Sequence, residues 1–154
     1  MDFDALKILF EEFDLAAFLP DLKDVLGWIE LVLRIAVMAG PVLLMGFGLL
    51  YLLAPPKEAN HGLGYRFWWG MASLDAWQFT QHLAGIVWSI LGVVLTIVMA
   101  LICNAFRRME PMDMVWSAVK CLGWELGLTA LACIAIDIVV ICVFDRRGFR
   151  RNAE

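Results

Sequence analysis

Nineteen consecutive residues, Ile35 to Leu53, carry no charged side chain. As a helix rising ~1.5 Å per residue, that run nearly crosses a hydrocarbon core of about 30 Å. Two more apolar stretches follow, Ala76 to Cys103 and Leu126 to Phe144, with His82 and Asp137 as their titratable interruptions apart from cysteine. Lipid offers backbone N–H and C=O groups no partner, so such stretches must close their hydrogen bonds internally, as helices. Composition agrees. The 154 residues are 62% hydrophobic and 18% charged, and a soluble domain of this size could not enclose so much apolar surface. The expected fold class is an all-α membrane protein, with three transmembrane helices plus an N-terminal amphipathic helix.

Residues 1–20 read as that acidic amphipathic helix. Asp4, Lys7, Glu11 and Asp14 fall on one face, and Leu6, Leu9, Phe10 and Phe13 on another. The acidic opening does not resemble a signal peptide. Residues 25–154 read as a single three-helix transmembrane domain, with spans at about 25–53, 76–105 and 114–144 and a loop at 54–74. Pro41, beside Gly40, predicts a bend in the first span, and Pro55-Pro56 stops it. Ser73 is placed to cap the second span, with Asp75 in its first turn favouring the helix dipole. Arg107, Arg108 and Glu110-Pro111 close it. The third span is overlong for a bilayer, so it must tilt or project beyond one face.

With three spans, the 54–74 loop and the C-terminus share a side. That side holds Lys57, Arg66, Arg146, Arg147, Arg150 and Arg151, against Lys7, Lys23, Arg107 and Arg108 on the other. Lysine and arginine are favoured on the cytoplasmic side, which predicts an outside N-terminus and a cytoplasmic C-terminus. No basic patch points to nucleic acid. Cys103, Cys121, Cys133 and Cys142 form no C-x-x-C pair and read as reduced packing residues, without a shared metal. No metal-ligand cluster or nucleophile elbow is present, so neither an enzyme nor a cofactor is expected.

The loop is the informative segment. It reads Pro55-Pro56-Lys57-Glu58-Ala59-Asn60-His61-Gly62-Leu63-Gly64-Tyr65-Arg66, then Phe67-Trp68-Trp69-Gly70-Met71-Ala72-Ser73-Leu74-Asp75-Ala76-Trp77. Gly62 and Gly64 permit tight turns, and Trp68, Trp69 and Trp77 suit the headgroup layer. Arg66 can bind phosphate or cap helix carbonyls. At Pro56, Lys57, Asn60, Gly64, Tyr65, Arg66, Ser73, Trp77 and Gln81 the chain resembles the SdpI family of bacterial membrane proteins. Phe67 stands where that family usually has threonine, and Gly70 where serine is common. The resemblance implies a multi-pass protein of the bacterial cytoplasmic membrane with its loop on the cytoplasmic side. It further implies toxin immunity or envelope signalling, with a peptide toxin or a regulatory protein as partner. For Asn60, Tyr65 and Arg66 two readings stand side by side: they fold the loop onto the headgroups, or they form a binding surface.

The intramembrane polar residues are Glu30, Arg34, His82, Lys120, Glu125 and Asp137. If the first and third helices run parallel, Glu30 is expected to meet Lys120 and Arg34 to meet Glu125. Otherwise all four sit at a wet end. Asp137 is costly in an apolar helix and must be protonated, or face protein or water. It is expected either to clamp a neighbour such as Ser89, or to join His82 or Arg66 and handle a proton or ligand. Gly85-x-x-x-Ser89 and Gly123-x-x-x-Gly127 allow close helix approach, within the chain or between copies in a homo-oligomer. The leading functional expectation is a non-enzymatic binding or signalling protein of SdpI type. The alternative is a small transporter or channel subunit with a polar path at Asp137, His82 and Arg66.

Overall fold

The computed structural model describes residues 22–57 and 64–151. The expected helix at 1–20 lies outside the described residues, as does Asn60. Three long helices are present: α1 (Leu22–Leu53), α2 (Leu74–Ala105) and α3 (Pro111–Val143). All three are long and apolar enough to cross a membrane. A 3-10 turn, Phe106–Arg108, leads from α2 toward α3. α2 closes ahead of Glu110-Pro111 as expected, and Pro111 itself opens α3, three residues before the expected start at about Met114. A proline is suited to that position because its missing N–H would have had no partner there. At the head of α2, Ser73 is extended and its side chain accepts from the Ala76 N–H, so the expected cap forms.

The outward faces are apolar. Leu53, Leu101 and Leu126 are 84%, 70% and 73% exposed, a surface suited to lipid and not to water. Burial therefore does not drive these helices together as it would in water, and close backbone approach takes its place. α1 and α2 pack along their lengths, while α3 touches both more lightly. At the α1–α2 seam, Gly48 lies directly against the Ser89 backbone. A Cβ added at Gly92 would stand 2.5 Å from the Met45 nitrogen, and one at Gly85 would stand 3.0 Å from the Leu52 side chain. Gly85-x-x-x-Ser89 is thus an intramolecular packing motif, extended by Gly92. Gly123 and Gly127 have open space where their side chains would be and do not pack α3 against the other described residues.

Two buried clusters occupy opposite ends of the bundle. Val37, Leu95, Met99, Cys103, Phe106, Met114, Ala118 and Cys121 fill the end near the α2–α3 connection. Tyr51, Ala76, Ala84, Ile136, Val140 and Phe144 fill the loop end. Gly92→Leu should destabilise the protein by about 1–3 kcal/mol through overpacking, while Gly123→Leu should change stability by less than about 0.5 kcal/mol. Denaturant titration in detergent micelles measures both; equal losses would show that the glycines do not set the seam.

Candidate functional site

The α1–α2 loop is clasped from three sides. Gly64 has φ +126°, a conformation that side chains other than hydrogen strongly disfavour. A Cβ there would also stand 2.6 Å from the Trp77 ring. Trp77 was expected in the headgroup layer but is completely buried. Its indole N–H donates to the Pro56 carbonyl at 2.8 Å, tying the end of α1 to the first turn of α2. The amide of Gln81, also fully buried, brackets Tyr65. It accepts from the Tyr65 N–H at 2.7 Å and donates to the Tyr65 carbonyl at 2.8 Å. A buried amide is tolerated only when its groups are paired, and these are.

The third side is α3. The Tyr65 hydroxyl donates to Asp137 Oδ1 at 2.8 Å and to the Cys133 carbonyl at 3.1 Å. Burial, reinforced by the Asp137 bond, pushes the Tyr65 phenol well above its ordinary range and keeps it a proton donor. The residue of the loop that reaches Asp137 is therefore Tyr65, one position from the arginine expected there. Exposed His82 makes no hydrogen bond with Asp137 among the described residues, and the Ser89 hydroxyl is buried without a hydrogen-bond partner. Neither the expected Asp137–His82 contact nor the Ser89 clamp forms.

The C-terminal segment completes the arrangement. After α3 the chain turns back at Gly148, φ +80°, and Phe144 bridges Arg150. Asp145 Oδ1 accepts from the Arg147 and Phe149 N–H groups, both at 2.8 Å. The turn seats on the cap of α2: the Ser73 hydroxyl donates to the Gly148 carbonyl at 2.7 Å. Arg150 forks onto Asp75 at 2.8 and 3.1 Å, and Arg146 lies 5.7 Å from the Trp69 ring centroid. Sequence reasoning missed this turn. Asp145 with Gly148 three positions later is a turn signal that could have revealed it. Lys57, Arg66 and Trp68 are exposed on the connecting loop.

The sequence of this region corresponds to a known family. The sequence profile of the SdpI/YfhL protein family matches residues 57–143, more than half of the chain. The chain belongs to the SdpI/YfhL protein family. No curated protein and no solved structure matches it. The matched region runs from Lys57 through α2 to the last residue of α3, so it contains the Tyr65–Asp137 bond. Two departures from the SdpI pattern have structural counterparts. Phe67 stacks on Trp69 with centroids 5.8 Å apart. A side chain at buried Gly70 would meet Thr80 Oγ1 at 2.6 Å, so threonine occupies the space a serine would need.

The expected charge network at the opposite end is rearranged. Glu30 meets Arg34 within α1 at 2.6 Å and Arg107 at 3.8 Å, and Lys120 is exposed. The Arg34 contact is an ion approach without hydrogen-bond alignment, since its Nε and Nη2 find no acceptor. Glu125 is buried, with Oε1 unpartnered among the described residues. The geometric reason is azimuth. Five residues turn a helix by about 500°, leaving Lys120 and Glu125 some 140° apart and unable to face α1 together.

In a double-mutant cycle, Tyr65→Phe and Asp137→Ala should couple by about 0.5–1.5 kcal/mol in unfolding free energy. Additive losses would mean that the bond ties nothing together. Asp145 is held below the ordinary aspartate range mainly by its backbone bond to Phe149. A depressed folded-state pKa gives stability that is full above the unfolded value and lost as pH falls through the folded one. Amide-exchange protection at Arg147 and Phe149 should therefore fall on acidification below the ordinary aspartate range. A pH-independent protection would refute it.

Proposed function

We propose that this is a non-enzymatic membrane protein of SdpI type, acting in toxin immunity or envelope signalling through the loop at 54–74. The carrying observation is the triple clasp of that loop by Gln81, Trp77 and Asp137. A loop so anchored presents Arg66, Trp68, Arg146 and Arg147 from a preorganised base, and preorganisation lowers the ordering cost of binding a partner. Exposed arginines beside an exposed tryptophan suit an acidic, amphipathic peptide or a regulatory protein. Separate exposure of His82 and capture of Asp137 by Tyr65 speak against a polar path linking Asp137, His82 and Arg66, and so favour binding over transport.

In this reading the loop and the C-terminal turn lie on the cytoplasmic side of a bacterial cytoplasmic membrane. Lys57, Arg66 and four C-terminal arginines gather at that end, with Arg107 and Arg108 at the other. The test is survival of a sensitive bacterial host challenged with membrane-active peptides. Wild-type protein should raise survival, and Arg66→Ala should reduce protection at least tenfold at equal membrane abundance. Equal sensitivity with and without the wild-type protein would overturn the immunity reading.

A further inference from the structure

Between the two buried clusters, a cleft of about 550 Å³ separates α1 from α3. This volume falls within the range of small-molecule sites. Its mouth is flanked by Leu43 and Leu126, 61% and 73% exposed on the outer, apolar faces of the helices. It therefore opens sideways toward lipid. Gly40 and Glu125, near the middles of α1 and α3, face each other within it. A Cβ at Gly40 would stand 2.9 Å from Glu125 Oε2, so the absence of a side chain there makes room for the carboxyl.

The carboxyl is incompletely satisfied. Glu125 is only 6% exposed, and its Oε1 has no hydrogen-bond partner among the described residues. A lone carboxyl at mid-span must hold its own proton or face a cation. Trp88, contributed by α2, also lines the cleft, and its indole N–H is buried without an acceptor among the described residues. Native proteins leave few such groups unpaired, and two lining one apolar cleft point to a ligand. Phe47 adds a second aromatic ring to the lining, and aromatic faces attract ammonium groups. The Tyr65–Asp137 pair elsewhere in the bundle shows the alternative: there the protein supplies the donor itself.

We propose that this cleft binds a small, lipid-partitioned amine, entering laterally between α1 and α3. Its ammonium group pairs with the Glu125 carboxylate, its apolar body fills the leucine-lined walls, and an acceptor on it takes the Trp88 indole N–H. Charge complementarity selects the amine: an anionic or neutral amphiphile of the same size leaves Oε1 without a donor.

The test uses the full chain in phosphatidylcholine nanodiscs with monodansylcadaverine, an amine carrying an aromatic body and a sulfonyl acceptor. Energy transfer from protein tryptophans to the dansyl group, corrected for empty nanodiscs, should saturate. Glu125→Gln should weaken binding at least tenfold, as should Thr129→Trp, which fills the cleft. Lys120→Gln, on an exposed face of α3, should leave binding unchanged. The probe acetylated on its amine should bind at least tenfold more weakly than the free amine. Circular dichroism and thermal unfolding confirm that each variant is folded. Absence of saturable transfer, equal binding by Glu125→Gln, or equal binding of the acetylated probe would each overturn the proposal. So would a change of oligomeric state in folded Glu125→Gln with amine binding intact, because the cleft would then be a seam between copies.

Discussion

The hydrogen bond from the Tyr65 hydroxyl to Asp137 joins parts of the chain that otherwise have separate reasons to be where they are. On one side it satisfies a carboxyl that an apolar helix could not otherwise carry at low cost. On the other it fastens the loop between α1 and α2 onto α3, a helix that packs only lightly against the rest of the bundle. Tyr65 is itself held by Gln81 from α2 and packs edge-on against Trp88, with ring centroids 5.5 Å apart. One side chain thus reads the positions of two helices. A change in how α3 sits would be felt at the loop, and the reverse.

Two acids of α3, Glu125 near its middle and Asp137 within two turns of its end, receive opposite treatment. Asp137 lies within reach of a tyrosine delivered by the loop, so its cost is met inside the protein. Glu125 sits three turns nearer the start of the helix, against Gly40 in a largely apolar cleft, where its Oε1 receives no hydrogen bond among the described residues. Helix packing explains the contrast. Glycines at 48, 85 and 92 draw α1 and α2 together, while α3 brings Gly123 and Gly127 to the outside and leaves space along α1. The cleft is a consequence of that uneven packing.

The C-terminal turn follows the same logic at the membrane surface. Ser73 caps α2 through one lone pair and donates its proton to Gly148, so a single hydroxyl finishes one helix and docks the segment that follows another. The Arg150–Asp75 fork adds to this contact, although at exposed positions such pairs contribute little individually. The loop, the α2 cap and the turn therefore form one continuous surface that none of them would form alone.

Much of this was legible in the residues. Uncharged runs as long as a bilayer is thick can only be helices, so the three spans, their order and their approximate ends follow from the sequence. The Ser73 cap and the close approach at Gly85 and Ser89 follow too, because they depend on neighbours within one helical turn or on side-chain size. The loop could be identified as the informative segment through its family resemblance. The partners of the buried polar groups could not. Whether Asp137 meets Tyr65, His82 or Arg66, and whether Glu125 meets Arg34 or an apolar cleft, depends on rotations of α3 by tens of degrees. Those rotations are set by packing between helices, and hydrophobic periodicity is a poor guide to them in a chain whose outer and inner faces are both apolar. Local chemistry determined the elements; the azimuth and depth at which they met determined which charges were satisfied and which were left waiting.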